Sequence, residues 1–113
     1  MKKLEVIIPH ERLVEINTIL HKRGASGMTF YDVKGRGRMK KESVSVGRGA
    51  TRYVPEFGSW TKIEVLLPDS KVKPIVDDIM KVMKAGSACD GKIVICNVIA
   101  VYDTATLSQN RTS

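Results

Sequence analysis

Two short apolar runs, each stopped by a proline and each followed by a stretch of helical period, constrain this chain most. Leu4-Glu5-Val6-Ile7-Ile8 ends at Pro9, and Trp60-Thr61-Lys62-Ile63-Glu64-Val65-Leu66-Leu67 ends at Pro68. Both read as strands. After the first, Leu13, Ile16 and Leu20 recur at helical spacing within residues 10–23, with Val14 and Ile19 widening the stripe. Lys22 and Arg23 suit the negative end of that helix, and Gly24 can take a left-handed cap. After the second, Asp69 or Ser70 caps a helix in which Val72, Ile75, Val76, Ile79, Met80 and Met83 face a core. Lys81 and Lys84 fall in its last turn, and Gly86 can close it. Residues 27–33 form a further strand, and residues 93–98 a fourth that can restart through residues 99–102. Strand, helix, strand, strand, helix, strand gives an α+β, ferredoxin-like βαββαβ domain over residues 1–102, with both helices on one face of an antiparallel sheet. Residues 103–113 are a polar tail without periodicity. The uncovered sheet face, with Val65 and Leu67 alternating against Leu66, is expected to be apolar and to drive oligomerisation.

The second and third strands are joined by a long glycine-rich and basic stretch, residues 34–58. No apolar period runs through it, so little of it can be buried as helix or strand. A connection of this length in a compact domain is usually either disordered or a functional arm. Arg38, Lys40, Lys41, Arg48 and Arg52 stand against Glu42 and Glu56, and Tyr53 and Phe57 add contact area. The whole chain carries +7, from nineteen basic and twelve acidic residues, which favours an anionic partner: a nucleotide, a nucleic acid or a membrane surface. A basic nucleic-acid-binding module is the alternative reading, weakened by aromatics at only 5%. No apolar run is long enough to span a bilayer, and the charged start, Met1-Lys2-Lys3-Leu4-Glu5, is unlike a signal peptide, so a cytoplasmic protein is expected. Cys89 and Cys96 are too few for a disulfide framework and lack metal-site spacing. No nucleophile–base pair, carboxylate pair or metal cluster stands at useful spacing. His10 and His21 are read as solvent-facing, and no enzyme is expected.

Over about its first hundred residues the chain resembles the PII-type nitrogen signal-transduction proteins and their PII-like relatives. The residues that carry the resemblance are Met1-Lys2-Lys3-Leu4-Glu5-Val6-Ile7-Ile8, Gly27-Met28-Thr29, Val33-Lys34-Gly35-Arg36-Gly37-Arg38, Arg48-Gly49-Ala50, Lys62-Ile63-Glu64-Val65 and Asp90-Gly91-Lys92-Ile93. The resemblance implies a homotrimer with an adenine nucleotide (ADP, AMP or ATP) in each inter-subunit cleft. Thr29, Glu64, Val65 and Leu66 would hold the adenine. The phosphates would lie against Gly35, Arg36, Gly37 and Arg38 and the turn Ala88, Cys89, Asp90, Gly91 and Lys92. The arm over residues 37–58, with Lys40, Lys41, Arg48, Arg52 and Tyr53, would meet a membrane transporter or a metabolic enzyme of nitrogen or inorganic-carbon metabolism. Several positions depart from the family pattern. Met39 stands where 2-oxoglutarate-binding members have Gln, and a thioether is a poor ligand for magnesium. Asp103 and Ala105 replace two phosphate-facing arginines, shifting the expectation from ATP toward ADP or AMP. Cys89 replaces a glycine, and Tyr53 is displaced from the modifiable position, so it is read as a packing residue. A small anion such as bicarbonate or 2-oxoglutarate is a candidate co-ligand.

Overall fold

The computed structural model describes residues 1–36, 57–85 and 91–105, together with the main chain of three short strands at 44–46, 51–53 and 108–111. In chain order the elements are β1 (Lys2–Ile8), a 3-10 turn (His10–Arg12), α1 (Leu13–Lys22), β2 (Thr29–Gly35), β3 (Val44–Val46), β4 (Thr51–Tyr53), β5 (Gly58–Leu67), α2 (Asp69–Ala85), β6 (Lys92–Asn97), β7 (Ala100–Asp103) and β8 (Ser108–Arg111). The main sheet is antiparallel in the order β2-β5-β1-β6, the ferredoxin-like arrangement expected from the alternation of elements.

Period-2 alternation sorts the two sheet faces. Leu4, Val6 and Ile8 of β1 and Ile63, Val65 and Leu67 of β5 turn toward the helices and pack with Ile16, Leu20, Ile75 and Ile79. Val14, expected in the α1 stripe, is 74% exposed, because Leu13, Ile16, Ile19 and Leu20 already cover the sheet. Met83 packs on the core as expected, but Met80 is 44% exposed. α1 begins later than the sequence pattern suggests: Arg12 N–H bonds the Pro9 carbonyl at 3.0 Å, making one tight turn first. The helix ends as expected at Gly24, which has φ +75°. The Gly24 and Ala25 amides bond the carbonyls of His21 and Leu20, and Lys71 Nζ donates to the Gly24 carbonyl at 2.8 Å. β2 lies two residues further along than residues 27–33, since its pairing with β5 runs from Thr29↔Glu64 to Gly35↔Gly58.

Three other expectations change. The uncovered sheet face is not a bare apolar one. Its centre carries Lys3, Glu5, Lys62, Glu64 and Tyr31, joined by Lys3–Glu5 at 2.9 Å, Lys62–Glu5 at 3.5 Å and Tyr31–Glu64 at 2.8 Å. Val65 and Leu67 lie under the helices, and the exposed apolar side chains include Leu66 of β5, Phe30 of β2, Val94 and Ile95 of β6, and Ile99 and Tyr102 beyond it. The polar tail pairs as β8 with β7, from Ala100↔Arg111 to Asp103↔Ser108. Within the long connection, β3 and β4 pair from Val44↔Tyr53 to Val46↔Thr51, short segments that an unpatterned sequence did not announce.

Substituting Ile63, 0% exposed, with alanine is expected to cost about 2–5 kcal/mol in urea unfolding. Val14→Ala is expected to stay within about 0.5 kcal/mol of wild type. The ion-pair network gives a pH signature. A hydrogen bond from Lys3, opposed by desolvation and reinforced by the charges of Lys3 and Lys62, holds the Glu5 carboxyl below its usual range. Its contribution to stability is therefore full above the ordinary Glu value of about 4.3 and is lost as pH falls through the lowered folded-state value. Unfolding curves of wild type and Glu5→Gln should differ at neutral pH and converge in acid; a gap that stays constant down to strong acid contradicts this.

Candidate functional site

β2 leaves the sheet at Gly35, paired with Gly58, and β6 enters it at Lys92, paired with Ile7. Both events fall at the same end of the sheet. There Gly35, Arg36, Gly91 and Lys92 join Ile7, Val33, Lys34 and Trp60 in lining a cleft of about 190 Å³. The floor is apolar, from Ile7, Val33 and Trp60. The rim carries three cations, Lys34, Arg36 and Lys92, and no carboxylate is among the lining residues. Trp60 is 7% exposed, and its indole Nε1–H donates to the Gly35 carbonyl at 3.2 Å. That bond occupies an oxygen that would otherwise repel an anion. Gly91 is required by close approach: a Cβ there would stand 2.6 Å from the Ile7 carbonyl oxygen. Cations, glycine main chain and an apolar floor are the chemistry that suits an anionic group such as a phosphate.

A second cleft, of about 370 Å³, opens at the opposite end of β2. Thr29, Glu64, Val65 and Leu66 line it with Lys3, Ser26, Gly27 and Met28. β2 stops pairing at Thr29↔Glu64 while β5 continues to Leu67, so the main chain of residues 65–67 has no strand partner on that side. Such an edge, offering peptide N–H and C=O groups beside apolar side chains, suits a planar base with adjacent donors and acceptors. The Thr29 hydroxyl bonds the Glu64 carbonyl at 3.4 Å, and the Glu64 carboxylate accepts from the Tyr31 hydroxyl.

The structure thus divides the expected site residues into two groups. Gly35, Arg36, Gly91 and Lys92 come together, and so do Thr29, Glu64, Val65 and Leu66. The two groups share no lining residue; Gly35 and Thr29, at the two ends of β2, are six residues and roughly 20 Å apart. Gly37, Arg38, Met39, Ala88, Cys89 and Asp90, and Lys40, Lys41 and Arg48 of the arm, lie outside the described residues, as do Gly86 and the side chains of Arg52 and Tyr53. Asp103 and Ala105 line neither cleft; Asp103 Oδ1 accepts from the Ala105 amide at 2.9 Å. Sequence reasoning missed Ile7, Val33, Lys34 and Trp60 as lining residues. The available signal was alternation: Val33 shares a strand face with Gly35, and Ile7 is the register partner of Lys92. His10 is exposed as expected but not without partners. Its Nδ1 lies 2.9 Å from Thr61 Oγ1 and 3.8 Å from Asp32 Oδ1.

Among the described residues no helix is long and apolar enough to cross a membrane. Residues 1–106 match the family described as "Nitrogen regulatory protein P-II". Nitrogen regulatory protein P-II 1 of Escherichia coli K12 is 38% identical over 106 residues, covering 94% of this chain and 93% of that protein. Nitrogen regulatory protein P-II of Mesorhizobium japonicum is 39% identical over the same length, covering 94% and 93%. The protein of the same name from Pyropia yezoensis is 36% identical over 110 residues, covering 97% and 96%. The chain therefore belongs to the nitrogen regulatory protein P-II family, regulatory signal-transduction proteins that act through protein partners and are not enzymes.

Proposed function

We propose that this chain forms a homotrimer that binds an adenine nucleotide between subunits and uses the occupied state to regulate a protein target. The observation that carries this reading is the separation of the two clefts. One has the chemistry for phosphates and the other for a base, and the two share no lining residue. Each is half of a site that a neighbouring subunit completes. β6 is an edge strand with Val94 40% and Ile95 49% exposed, and Ile99 beyond it is 89% exposed; this is surface that an oligomer would cover.

The bound nucleotide in this reading is ADP or AMP before ATP, because Asp103 places a negative charge where the family pattern has a cation. Bicarbonate or 2-oxoglutarate remains the candidate co-ligand, to be decided by binding. Nucleotides that differ in affinity for two states of the basic arm would shift its posture, whereas equal affinities would shift nothing. The arm's cations, Lys40, Lys41, Arg48 and Arg52, suit an acidic surface on a transporter's cytoplasmic mouth or on a metabolic enzyme.

Sedimentation should give a trimer mass, and calorimetry with AMP, ADP and ATP, each with and without bicarbonate or 2-oxoglutarate, should show tightest binding for ADP or AMP. A monomer, or no binding to any of the three, refutes the proposal. Lys92→Ala should weaken binding about tenfold or more, the cost of one charge-assisted hydrogen bond. Leu66→Glu should block the base cleft. Refolding the two variants together should restore binding sites that neither has alone; mixtures as inactive as their parents would mean that both halves come from one chain.

A further inference from the structure

The long connection leaves the sheet at Gly35 and rejoins it at Gly58, and these two residues are register partners. A ladder that ends with glycine opposite glycine is under little conformational restraint. A Cβ at Gly35 would meet, among the described residues, only Trp60 Cδ1 within 4 Å, at 3.9 Å, so no steric wall holds this main chain. A side-chain bond does: the Trp60 indole Nε1–H donates to the Gly35 carbonyl at 3.2 Å. Trp60 is itself well fixed. It is 7% exposed, and its strand, β5, pairs with β1 along one edge and with β2 along the other. The peptide it grips borders the cleft whose lining carries Lys34, Arg36 and Lys92 and no carboxylate. In such a lining the negative poles are main-chain carbonyls, and the Gly35 carbonyl sits on a residue free to turn.

We propose that Trp60 is a positioning residue for anion binding, its indole N–H holding the Gly35–Arg36 peptide with the carbonyl turned away from the anion. The inference rests on the nucleotide reading above and assigns part of its phosphate affinity to a side chain that acts through another residue. A trans peptide points its C=O and N–H in opposite directions. The bond therefore draws the negative end of this peptide dipole toward the tryptophan and directs the positive end away from it. An indole N–H is a donor only, so it can hold a carbonyl oxygen in this way. Without that donor the carbonyl regains the freedom to face the anion and repel it, and ordering the peptide then opposes binding.

The test separates the N–H from the bulk of the ring. Trp60→Phe removes both and leaves a void in the cleft floor. Replacing Trp60 with 3-benzothienylalanine, in which sulfur stands in place of the N–H, removes the donor and keeps the shape; this protein decides the matter where the void unfolds Trp60→Phe. Each is compared with wild type by calorimetry with ADP and with adenosine. The benzothienyl protein should bind ADP about fivefold more weakly than wild type, the order of one hydrogen bond, and adenosine as wild type does. Trp60→Phe should lose at least as much for ADP. Unchanged ADP affinity in the benzothienyl protein, or equal losses for ADP and adenosine, overturns the inference and leaves the nucleotide reading standing. A wild type that binds neither compound overturns both.

Discussion

The register of β5 decides which side chains reach the core and which face the two clefts. The strand is hydrogen-bonded along both edges, to β1 and to β2, so a slip of one residue would reverse every side chain on it. Thr61 pins that register. It is fully buried, the one buried polar side chain among the described residues, and its hydroxyl meets His10 from the turn after β1 and Asp32 from β2. With Thr61 turned inward, Ile63, Val65 and Leu67 follow it into the core. Trp60, Lys62, Glu64 and Leu66 necessarily take the other face, where both clefts lie.

That face keeps its charges segregated. Its centre is balanced, with Lys3 and Lys62 against Glu5 and Glu64. Among the described residues, Lys34, Arg36 and Lys92 gather at one end of it, in a cleft whose lining holds no carboxylate. A net charge says only that an anion is welcome somewhere; the pairing of β2, β1 and β6 says where.

The order of strands and helices was legible because each apolar run ends at a punctuating residue, Pro9, Gly24 or Pro68, that physical chemistry makes hard to misread. The core stripes of both helices were legible for the same reason, apart from Val14 and Met80. Helical period gives the direction of a stripe and not its width, which depends on how much sheet remains to be covered. Gly35, Arg36, Gly91 and Lys92 of the cationic cleft could be read through family resemblance, but Lys34 and the floor could not. Ile7, Val33 and Trp60 come from three strands and become neighbours only through register, which no local pattern carries. The charged centre of the uncovered face was missed similarly. Lys3, Glu5, Lys62 and Glu64 look like ordinary solvated charges until antiparallel pairing sets them side by side. The β7–β8 pairing was hidden because Ser108–Arg111 has no apolar alternation and is paired through its main chain.

Trp60 is the chain's single tryptophan, and it lines the cleft rimmed by Lys34, Arg36 and Lys92 while its indole is bonded to the Gly35 carbonyl. All indole emission from this protein therefore originates at one wall of one cleft. A spectral change on adding a compound reports events there, free of background from elsewhere in the fold, and the reporter is native and needs no label.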